Sequence, residues 1–472
     1  MSQPPVPTPV SAPYTAPESI SAAVQRLRRT FGSGVTRPIE WRRTQLQRLA
    51  ALARENRDLL VEALQKDFGK PPVEALLTDV SVIVAEATAA SKQLKKWMKP
   101  ERVATPVPQQ PGRARVVREP LGVVLIIAPW NYPVQLLLSP LVGALAAGNC
   151  AVLKPSELTP HTSAALADLV PRYLDPDAVA LVEGAVPETQ ALLAERFDHI
   201  FYTGGGRVGQ VVLEAAARHL TPVTLELGGK SPCIVDETAN VAVAARRIAW
   251  GKFLNAGQTC VAPDYVLVHE SREEELIEEL GAAIREFYGE QPKESRDFAR
   301  IVNASHHERL SLLLKEGDPV IGGESDPEQR YIAPTVLRNV PVDAGVMTDE
   351  IFGPILPVLP VADVDEAIRF ASAREKPLAL YIFTEDSAVA DRVTRETSSG
   401  SVCVNHVIWQ IANPNLPFGG VGPSGTGAYH GRHSFETFSH RKAVVTKSTR
   451  FDQKFAYPPF GRIKTALLKR LL

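Results

Sequence analysis

The sequence predicts an α/β protein built around a parallel β-sheet. Short apolar runs are typical of buried strands, and several are separated by helical segments of about ten residues. The runs are Val123–Ile127, Cys150–Leu153, Val179–Val182, His199–Tyr202, Val223–Leu225 and Cys233–Val235. Strands that alternate with helices indicate a parallel sheet with right-handed crossovers. A second set of alternating elements runs from about residue 239 to residue 399.

The segments that precede the first predicted strand have different patterns. From about residue 18 to residue 90, apolar residues recur at helical spacing, which predicts helices. The clearest examples are Leu46, Leu49, Leu52, Leu59 and Leu60. Residues 99–110 carry several prolines and then alternate, which predicts an extended connector or edge strand. Residues 1–18 are rich in proline, serine and threonine, and we expect them to be disordered.

The C-terminal tail, residues 451–472, has an amphipathic pattern. Its apolar residues at helical spacing are Phe460, Ile463, Leu467 and Leu471. Its basic residues Arg462, Lys469 and Arg470 fall mostly on the other side. A basic amphipathic helix of this kind either docks on its own protein or lies on a partner subunit or a membrane surface.

Composition limits the classes of function. A chain of 472 residues exceeds the usual size of a single core, so we expect at least two domains. Lysine and arginine total 52 against 53 aspartates and glutamates, and this balance does not predict a nucleic-acid partner. Four cysteines do not suggest a disulfide framework, so we expect a reducing, cytoplasmic compartment. No secretory signal and no apolar stretch of membrane-spanning length is present.

The segment Asn255-Ala-Gly-Gln-Thr-Cys260 is the first candidate for chemistry. Cys260 follows a small, polar stretch that can expose a thiol and surround it with backbone amides. Cys150, Cys233 and Cys403 each lie inside an apolar run, where a cysteine behaves as a small hydrophobic residue. Cys260 is therefore the candidate nucleophile. The ordinary alternative is an unreactive thiol in a loop.

Two further segments place polar side chains at strand ends. Glu226 ends an apolar run and precedes two glycines, which is suitable for a general base whose pKa is raised by partial burial. Asn131 follows the strand Val123–Ile127 within Pro129–Pro133, where its amide could donate to an oxyanion. The structural alternatives are a salt-bridged or solvated glutamate at a turn and an asparagine that forms an Asx-turn before proline.

A glycine-rich turn, Thr203-Gly-Gly-Gly-Arg-Val-Gly209, follows the predicted strand His199–Tyr202. Gly204, Gly206 and Gly209 formally match the pattern G-x-G-x-x-G, but no acidic residue follows at a second strand end about 20 residues later. Glycines at a strand-to-helix turn still leave backbone amides free to meet a phosphate at the helix N-terminus.

These segments combine with others into one ordered set. The motifs, in chain order, are Pro129–Pro133, Lys154-Pro-Ser-Glu157, Gly204–Gly209, Glu226–Lys230, Asn255–Cys260, Glu350-Ile-Phe-Gly-Pro354 and Pro417-Phe-Gly-Gly420. From about residue 19 to residue 441, the chain resembles the aldehyde dehydrogenase superfamily. Trp250-Gly-Lys252, Cys260–Tyr265 and Gly425–His440 are similar to its class 3 branch, which acts on fatty, aromatic and medium-chain aldehydes.

The resemblance implies a role for each matched residue. Cys260 is the nucleophile, Asn131 forms the oxyanion hole with the Cys260 amide, and Glu226 activates the hydrolytic water. The residues implied to hold the cofactor are Trp130, Lys154, Glu157, Gly204, Gly205, Gly206, Gly209, Glu350 and Phe352. No metal site is implied. The expected product is a carboxylic acid, formed through a cysteine thiohemiacetal and a thioester.

The resemblance also implies an architecture. We expect a Rossmann-like cofactor domain (residues 19–98 and 121–227) and an α/β catalytic domain (228–410). A β-rich bridging segment (99–120 and 411–450) would be exchanged between the subunits of a homodimer.

The expected cofactor is NAD, with NADP tolerated. A 2′-phosphate would lie near Glu157, which would repel it, and Lys154 would offset part of that repulsion. The chain departs from the family pattern at Gly205 and Gly206, where Ser or Asn followed by Thr is more usual, so we expect weaker cofactor binding. A second departure is Thr426, where methionine is frequent.

The substrate is expected to be an apolar aldehyde, of medium or long chain or another apolar type. The candidate walls of its pocket are Trp130, Tyr132, Trp409, Ile411 and His430. Two alternatives stay open at this point. One is an acylating dehydrogenase that passes the thioester to coenzyme A or phosphate, which Glu226 argues against. The other is a structural member of the family without turnover.

Overall fold

Helices form the N-terminal part of the chain in this computed structural model, which describes residues 14–106, 109–452, 454 and 457–471. The helices are α1 (Pro17–Ser33), α2 (Ile39–Glu55), α3 (Arg57–Phe68), α4 (Pro72–Ala75), a π-helical turn (Leu76–Val80) and α5 (Ser81–Trp97). Leu46, Leu49, Leu52 and Leu60 are fully buried, as their spacing predicts, whereas Leu59 is 44% exposed. Of the segment expected to be disordered, residues 1–13 lie outside the described residues and Pro17 already begins α1.

The first large sheet has the strand order of a Rossmann fold. After β1 (Glu101–Val103) and β2 (Gly112–Pro120), the chain forms five parallel strands and their helices. They are β3 (Val123–Ile127), α6 (Gln135–Ala147), β4 (Cys150–Lys154), α7 (Pro160–Tyr173), β5 (Val179–Leu181), α8 (Val186–Ala194), β6 (His199–Thr203), α9 (Gly206–Ala217) and β7 (Val223–Glu226). The order β5-β4-β3-β6-β7 corresponds to 3-2-1-4-5. Ligands bind such sheets where the winding reverses, beyond the carboxyl ends of β3 and β6.

The second large sheet is also mostly parallel. Its elements are β8 (Pro232–Val235), α10 (Val241–Phe253), β9 (Tyr265–His269), α11 (Glu273–Tyr288), α12 (Ala304–Leu313), β10 (Asp318–Ile321), β11 (Ser325–Asp326), β12 (Tyr331–Ile332), β13 (Thr335–Arg338), α13 (Gly345–Thr348), β14 (Ile355–Val361), α14 (Val364–Ser372), β15 (Ala379–Phe383), α15 (Ser387–Glu396) and β16 (Ser401–Val404). The sheet order is β10-β13-β14-β9-β8-β15-β16, and only β10 among these strands is antiparallel to its neighbour. The predicted α/β fold class is confirmed.

The C-terminal elements are divided among three parts of the molecule. They are β17 (Gly425–Thr426), α16 (Gly431–Thr437), β18 (Ser439–Lys447) and α17 (Arg462–Leu471). β18 completes a three-stranded antiparallel sheet, β1-β2-β18, which lies apart from both large sheets. β17 instead pairs with β7, and α16 lies so close to α6 that a β-carbon on Gly143 would be 2.6 Å from Ser434 Cβ. Within the expected bridging range 411–450, β17 thus pairs with the first sheet, whereas β18 belongs to the three-stranded sheet.

None of the described helices is long and apolar enough to cross a membrane. In the C-terminal tail, Phe460 is 57% exposed and Ile463, at the start of α17, is 85% exposed. These two side chains are therefore not covered by the rest of the described chain.

Candidate active site

The loop that carries Cys260 connects α10 to β9 and has an unusual backbone. Asn255, Ala256 and Gly257 have positive φ angles of 54°, 51° and 74°. A left-handed conformation costs a residue with a β-carbon about 1 kcal/mol or more, so surrounding contacts must hold the loop. One contact is tight, because a β-carbon on Gly257 would lie 2.2 Å from the carbonyl oxygen of Gly353. The loop is therefore fixed against the body of the protein.

Two cavities meet at Cys260. One, of about 440 Å³, is lined mainly by apolar side chains. The other, of about 380 Å³, is lined by residues that follow β3, β6 and β7, including Asn131, Gly204 and Glu226. Cys260 lines both cavities, and its side chain is partly exposed to them. A thiol in this position can contact an apolar molecule in one cavity while facing a second molecule in the other.

The surroundings of Cys260 keep its thiol protonated at neutral pH. Burial, followed by the nearby Glu350 and Glu226 carboxyl groups, raises the pKa of the Cys260 thiol to about 12. Hydrogen bonds from the backbone amides of Cys260 and Val261 act in the opposite direction. Because the thiolate is the nucleophile, reaction requires a base that removes this proton.

The remaining cysteines lie in strands. Cys150 in β4 and Cys233 in β8 are fully buried, and burial raises the pKa of both thiols. Cys403 lies in β16 as expected, but it is partly exposed because β16 is at the edge of the second sheet. The expectation that Cys403 is a buried strand cysteine was wrong. It lines neither of the two cavities that meet at Cys260.

Asn131 is fixed with its side chain beside the Cys260 loop. Its Nδ2 atom donates one hydrogen to the carbonyl oxygen of Gln258, at 3.0 Å, and the second hydrogen remains available. Its Oδ1 atom is buried without a hydrogen-bond partner. The backbone oxygen of Asn131 accepts a hydrogen bond of 2.9 Å from Asn255 Nδ2. The loops after β3 and before β9 are thus joined, and Asn131 lines the 380 Å³ cavity beside Cys260.

Glu226 ends β7 inside the same cavity. It is 2% exposed, and both carboxyl oxygens are buried without a hydrogen-bond partner. Burial alone raises the pKa of the Glu226 carboxyl well above its usual range. Its backbone oxygen accepts from the amide of Gly204, which ties the glycine turn to the end of β7. A carboxyl group with a raised pKa and free oxygens is suited to accept a proton.

Another part of the wall of this cavity is aromatic and acidic. Phe352 packs edge-to-face on Trp130, with ring centroids 5.3 Å apart. Glu350 lies against Gly228, where a β-carbon would be 2.1 Å from Glu350 Oε2. Burial raises the pKa of the Glu350 carboxyl to about 8. The structure therefore places Trp130, Glu350 and Phe352 around one space, as the resemblance implies.

The glycine turn leaves the N-terminus of α9 open. Gly204 has a φ of +157°, and a β-carbon there would lie 2.3 Å from the Tyr202 hydroxyl. A β-carbon on Gly205 or Gly206 would meet nothing within 4 Å. Gly209 packs instead beneath the turn, where a β-carbon would be 3.2 Å from Leu227 Cδ2. The open surface over Gly205 and Gly206 and the free amides there fit a phosphate-bearing ligand.

Lys154 and Glu157 lie at the end of β4, beside the point where the winding of the first sheet reverses. Lys154 Nζ is 3.6 Å from Glu157 Oε2 and 2.7 Å from the carbonyl oxygen of Pro155. Lys154 is buried, whereas the Glu157 side chain is 37% exposed. Neither residue lines the 380 Å³ cavity, and neither do Gly206 and Gly209. The implied cofactor residues thus divide into a group at Cys260 and a group farther along the sheet edge.

The 380 Å³ cavity and its continuation along the first sheet fit a nicotinamide dinucleotide. Unpartnered buried oxygens of Glu226 and Thr203 face this region together with the open turn at Gly205. A flat ring can pack on the aromatic wall, a pyrophosphate can meet the amides of the turn, and ribose hydroxyls can bond the carboxylates of Glu157 and Glu350. The charge and shape of the described residues therefore agree with the cofactor class that the sequence implies.

Two polar residues of this cavity that sequence reasoning missed lie on one helix. His306 packs on Trp130, with ring centroids 5.1 Å apart. Arg309 donates to the carbonyl oxygen of Ile351 at 2.7 Å. Both lie on α12 and line the cavity together with Leu313. Their spacing of three and four residues indicates one helix face, but spacing alone does not show which cavity that face meets.

The 440 Å³ cavity agrees with the prediction of an apolar substrate pocket. Of the predicted walls, Tyr132, Ile411 and His430 line it. Trp130 lines the cavity on the other side of Cys260. Trp409 is 62% exposed and packs on His406 instead, because the chain turns outward after the left-handed residue Ile408. The prediction that these two tryptophans form the substrate pocket was wrong.

One charged residue enters the apolar cavity. Glu86 of α5 lines it, and burial raises the pKa of its carboxyl to about 7, against the effect of the Ser139 hydroxyl. Sequence reasoning did not select Glu86, because its helix carries no motif.

Comparison with known proteins agrees with this geometry. Residues 8–444 match the aldehyde dehydrogenase family. Human aldehyde dehydrogenase family 3 member B1 is 49% identical over 94% of this chain and 95% of that protein. The rat protein named aldehyde dehydrogenase, dimeric NADP-preferring, is 48% identical over 93% of this chain and 98% of that protein. The substrate-bound structure of Staphylococcus aureus AldH superposes with a TM-score of 0.93 at 46% identity, covering 96% of this chain and 99% of that one.

The resemblance to the class 3 branch is confirmed by the similarity to family 3 members. The structure adds a Rossmann-like sheet, a second α/β sheet and a thiol between two cavities. The chain belongs to the aldehyde dehydrogenase family, and it is an NAD(P)-dependent enzyme that oxidises an aldehyde to the carboxylic acid.

Proposed function

We propose that Cys260 is the nucleophile and that the 440 Å³ cavity holds an apolar aldehyde for its attack. The observation that carries this assignment is the position of Cys260 in the walls of both cavities. Glu226 is a base in the 380 Å³ cavity on the other side of Cys260, and its raised pKa brings it closer to that of the thiol. Transfer of the thiol proton to Glu226 produces the thiolate, which the amides of Cys260 and Val261 stabilise.

Attack of the thiolate on the carbonyl carbon forms a carbon–sulfur bond and leaves a negative charge on the carbonyl oxygen. Asn131 Nδ2 has one hydrogen available for that oxygen, and the Cys260 amide is the second donor. The loss of one such donor typically costs about 3 kcal/mol in the barrier. When bound, NAD(P)⁺ supplies the acceptor for the hydride that leaves the aldehyde carbon. Glu226 releases the thiol proton to solvent before the second half-reaction. It then accepts a proton from the water that attacks the thioester carbon, the carbon–sulfur bond breaks, and Cys260 leaves as the thiolate, which takes up the proton that Glu226 holds.

Hydrolysis is favoured over acyl transfer to coenzyme A. Glu226 lies beside Cys260 with both oxygens free, so a water held there competes with an incoming thiol. An acyl-coenzyme A product in the presence of coenzyme A would reverse this assignment.

The cofactor preference is proposed to be NAD over NADP. Glu157 is 37% exposed and only partly neutralised by Lys154 at 3.6 Å, so it repels a 2′-phosphate. The rat relative is named NADP-preferring, and this chain would differ from it. The ratio of kcat/KM for the two cofactors tests the preference, and a strong preference for NADP would contradict it.

A homodimer is proposed from two unpaired strand edges. In the single chain described, β18 pairs with β2 on one side only, and β16 is the last strand of the second sheet. Exposed edges favour pairing with another chain. The rat relative is named dimeric. Light scattering that gives a monomer mass would contradict this assignment.

The C-terminal tail is proposed to contact a membrane surface, with the body of the enzyme in the cytoplasm. The exposed side chains of Phe460 and Ile463 and the basic residues around them support this contact. Liposome co-sedimentation of chains with and without the residues after Pro458 tests it, and equal binding by both would contradict it.

The role of Cys260 predicts a large loss of activity on substitution. Cys260→Ser should lower kcat by at least about three orders of magnitude, because the hydroxyl is a far weaker nucleophile. Reduced-cofactor absorbance measures the loss. Cys403→Ser is the matched control, since Cys403 is also partly exposed but lines neither cavity. A Cys260→Ser enzyme as fast as the control would overturn the proposal.

The role of Glu226 predicts a loss in both half-reactions. Glu226→Gln removes the base that ionises Cys260 and the base that activates water, so formation of the first equivalent of reduced cofactor and steady-state turnover should both slow by more than about 100-fold. For the native enzyme, the raised pKa of Glu226 means that its basic form is lost as the pH falls. We therefore expect kcat/KM to decrease as the pH is lowered through the raised pKa of Glu226. Undiminished steady-state turnover in the variant would contradict the role.

The apolar cavity predicts a dependence on chain length. Each buried methylene contributes about 0.8 kcal/mol, so kcat/KM should rise about fourfold for each added methylene until the 440 Å³ cavity is filled. A series of straight-chain aldehydes from acetaldehyde to dodecanal measures this dependence. A flat profile would remove the preference for apolar substrates.

A further inference from the structure

A buried ion pair lies beneath the active-site loops. The side chains of Lys70 and Asp79 are both 0% exposed, and Lys70 Nζ is 2.7 Å from Asp79 Oδ2. Removing two charges from water is costly, and an apolar pair of similar size often stabilises a fold equally well or better. Stability alone therefore does not explain the pair, and its other contacts indicate what it does.

Lys70 contacts the segment that carries Asn131. Its Nζ atom is 3.5 Å from the backbone oxygen of Asn131. The same atom lies 3.7 Å from the centroid of the Tyr132 ring, which is a close cation–π contact. The Tyr132 hydroxyl in turn is 2.7 Å from the Thr259 hydroxyl, one residue before Cys260. One buried cation thus contacts the oxyanion asparagine and, through Tyr132, the loop of the nucleophile.

Asp79 holds the other end of the same segment. Its Oδ1 atom accepts hydrogen bonds from the backbone amides of Val134 and Gln135, both at 3.2 Å. Gln135 begins α6, so these bonds fix the first turn of that helix. The segment 131–135 is therefore fixed by Lys70 at its start and by Asp79 at its end. Neither Lys70 nor Asp79 lines the cavities that meet at Cys260.

We propose that Lys70 and Asp79 are the positioning pair of the oxyanion hole. They hold Asn131 Nδ2 and, through Tyr132 and Thr259, the Cys260 amide at a fixed separation, and they do not touch substrate or cofactor. This inference rests on the proposed roles of Asn131 and Cys260. A substrate oxygen must meet both donors at once, so a small displacement of either one lowers the rate of the chemical step.

The test uses the full-length double variant Lys70→Met/Asp79→Asn. Methionine has nearly the length of lysine without its charge, and asparagine keeps an oxygen for the amides of Val134 and Gln135. We expect kcat to fall about 10- to 100-fold, with the KM values for aldehyde and cofactor within about threefold. Lys66→Met is the matched control, because Lys66 is 54% exposed in α3 and pairs with the exposed Glu62. The control should retain native kcat.

A double-mutant cycle with Asn131→Ala separates positioning from general destabilisation. If the pair acts through Asn131, adding Lys70→Met/Asp79→Asn to Asn131→Ala should cost less than about threefold more. Losses that multiply, or a lowered melting temperature with native kcat, would overturn the inference. An Asn131→Ala enzyme with native kcat would instead overturn the proposed oxyanion role itself.

A milder variant covers the case in which the double variant does not fold. Tyr132→Phe keeps the ring on Lys70 and removes only the hydroxyl that bonds Thr259. We expect a several-fold loss of kcat at unchanged cofactor KM and melting temperature, and again little further loss in the Asn131→Ala background. Native kcat in Tyr132→Phe would contradict the link to the Cys260 loop.

Discussion

The hydrogen bond from Asn131 Nδ2 to the carbonyl oxygen of Gln258 joins the two halves of the site. Asn131 follows β3 of the first sheet, and Gln258 precedes β9 of the second. The proposed chemistry needs a thiol, an oxyanion donor and a base within one cavity, and these groups come from separate sheets. Their arrangement therefore depends on bonds across the boundary between the sheets more than on either sheet alone.

Burial gives the site its acid–base character. Glu226 and Glu350 are removed from water, so their carboxyl groups hold protons at higher pH than exposed ones, and the Cys260 thiol does the same. A thiol that stays protonated in the absence of substrate is less reactive toward unrelated electrophiles. Proton transfer between neighbours with raised pKa values then needs no contact with bulk water, which is suitable for a step that forms a reactive thioester.

The sequence predicted the parts of this protein that depend on local pattern and left out those that depend on tertiary contact. The apolar runs located β3 to β8 correctly, and the motifs selected Asn131, Glu226 and Cys260, which the structure brings together. The sequence wrongly predicted Trp409 as a wall of the substrate pocket. Its neighbour Ile411 does line the pocket, and only the turn of the backbone shows that the Trp409 side chain is exposed instead.

Other contacts could not be predicted because they join distant segments. His306 and the pair Lys70–Asp79 carry no motif, and their importance comes from residues far away in the sequence. The division of residues 411–450 between two sheets follows from antiparallel pairing of Gly425 with Glu226, which no local pattern encodes. The turn at Gly205 and Gly206 has a consequence of its own: it offers a bound dinucleotide main-chain donors and no hydroxyl group, so fewer contacts must break before the reduced coenzyme leaves.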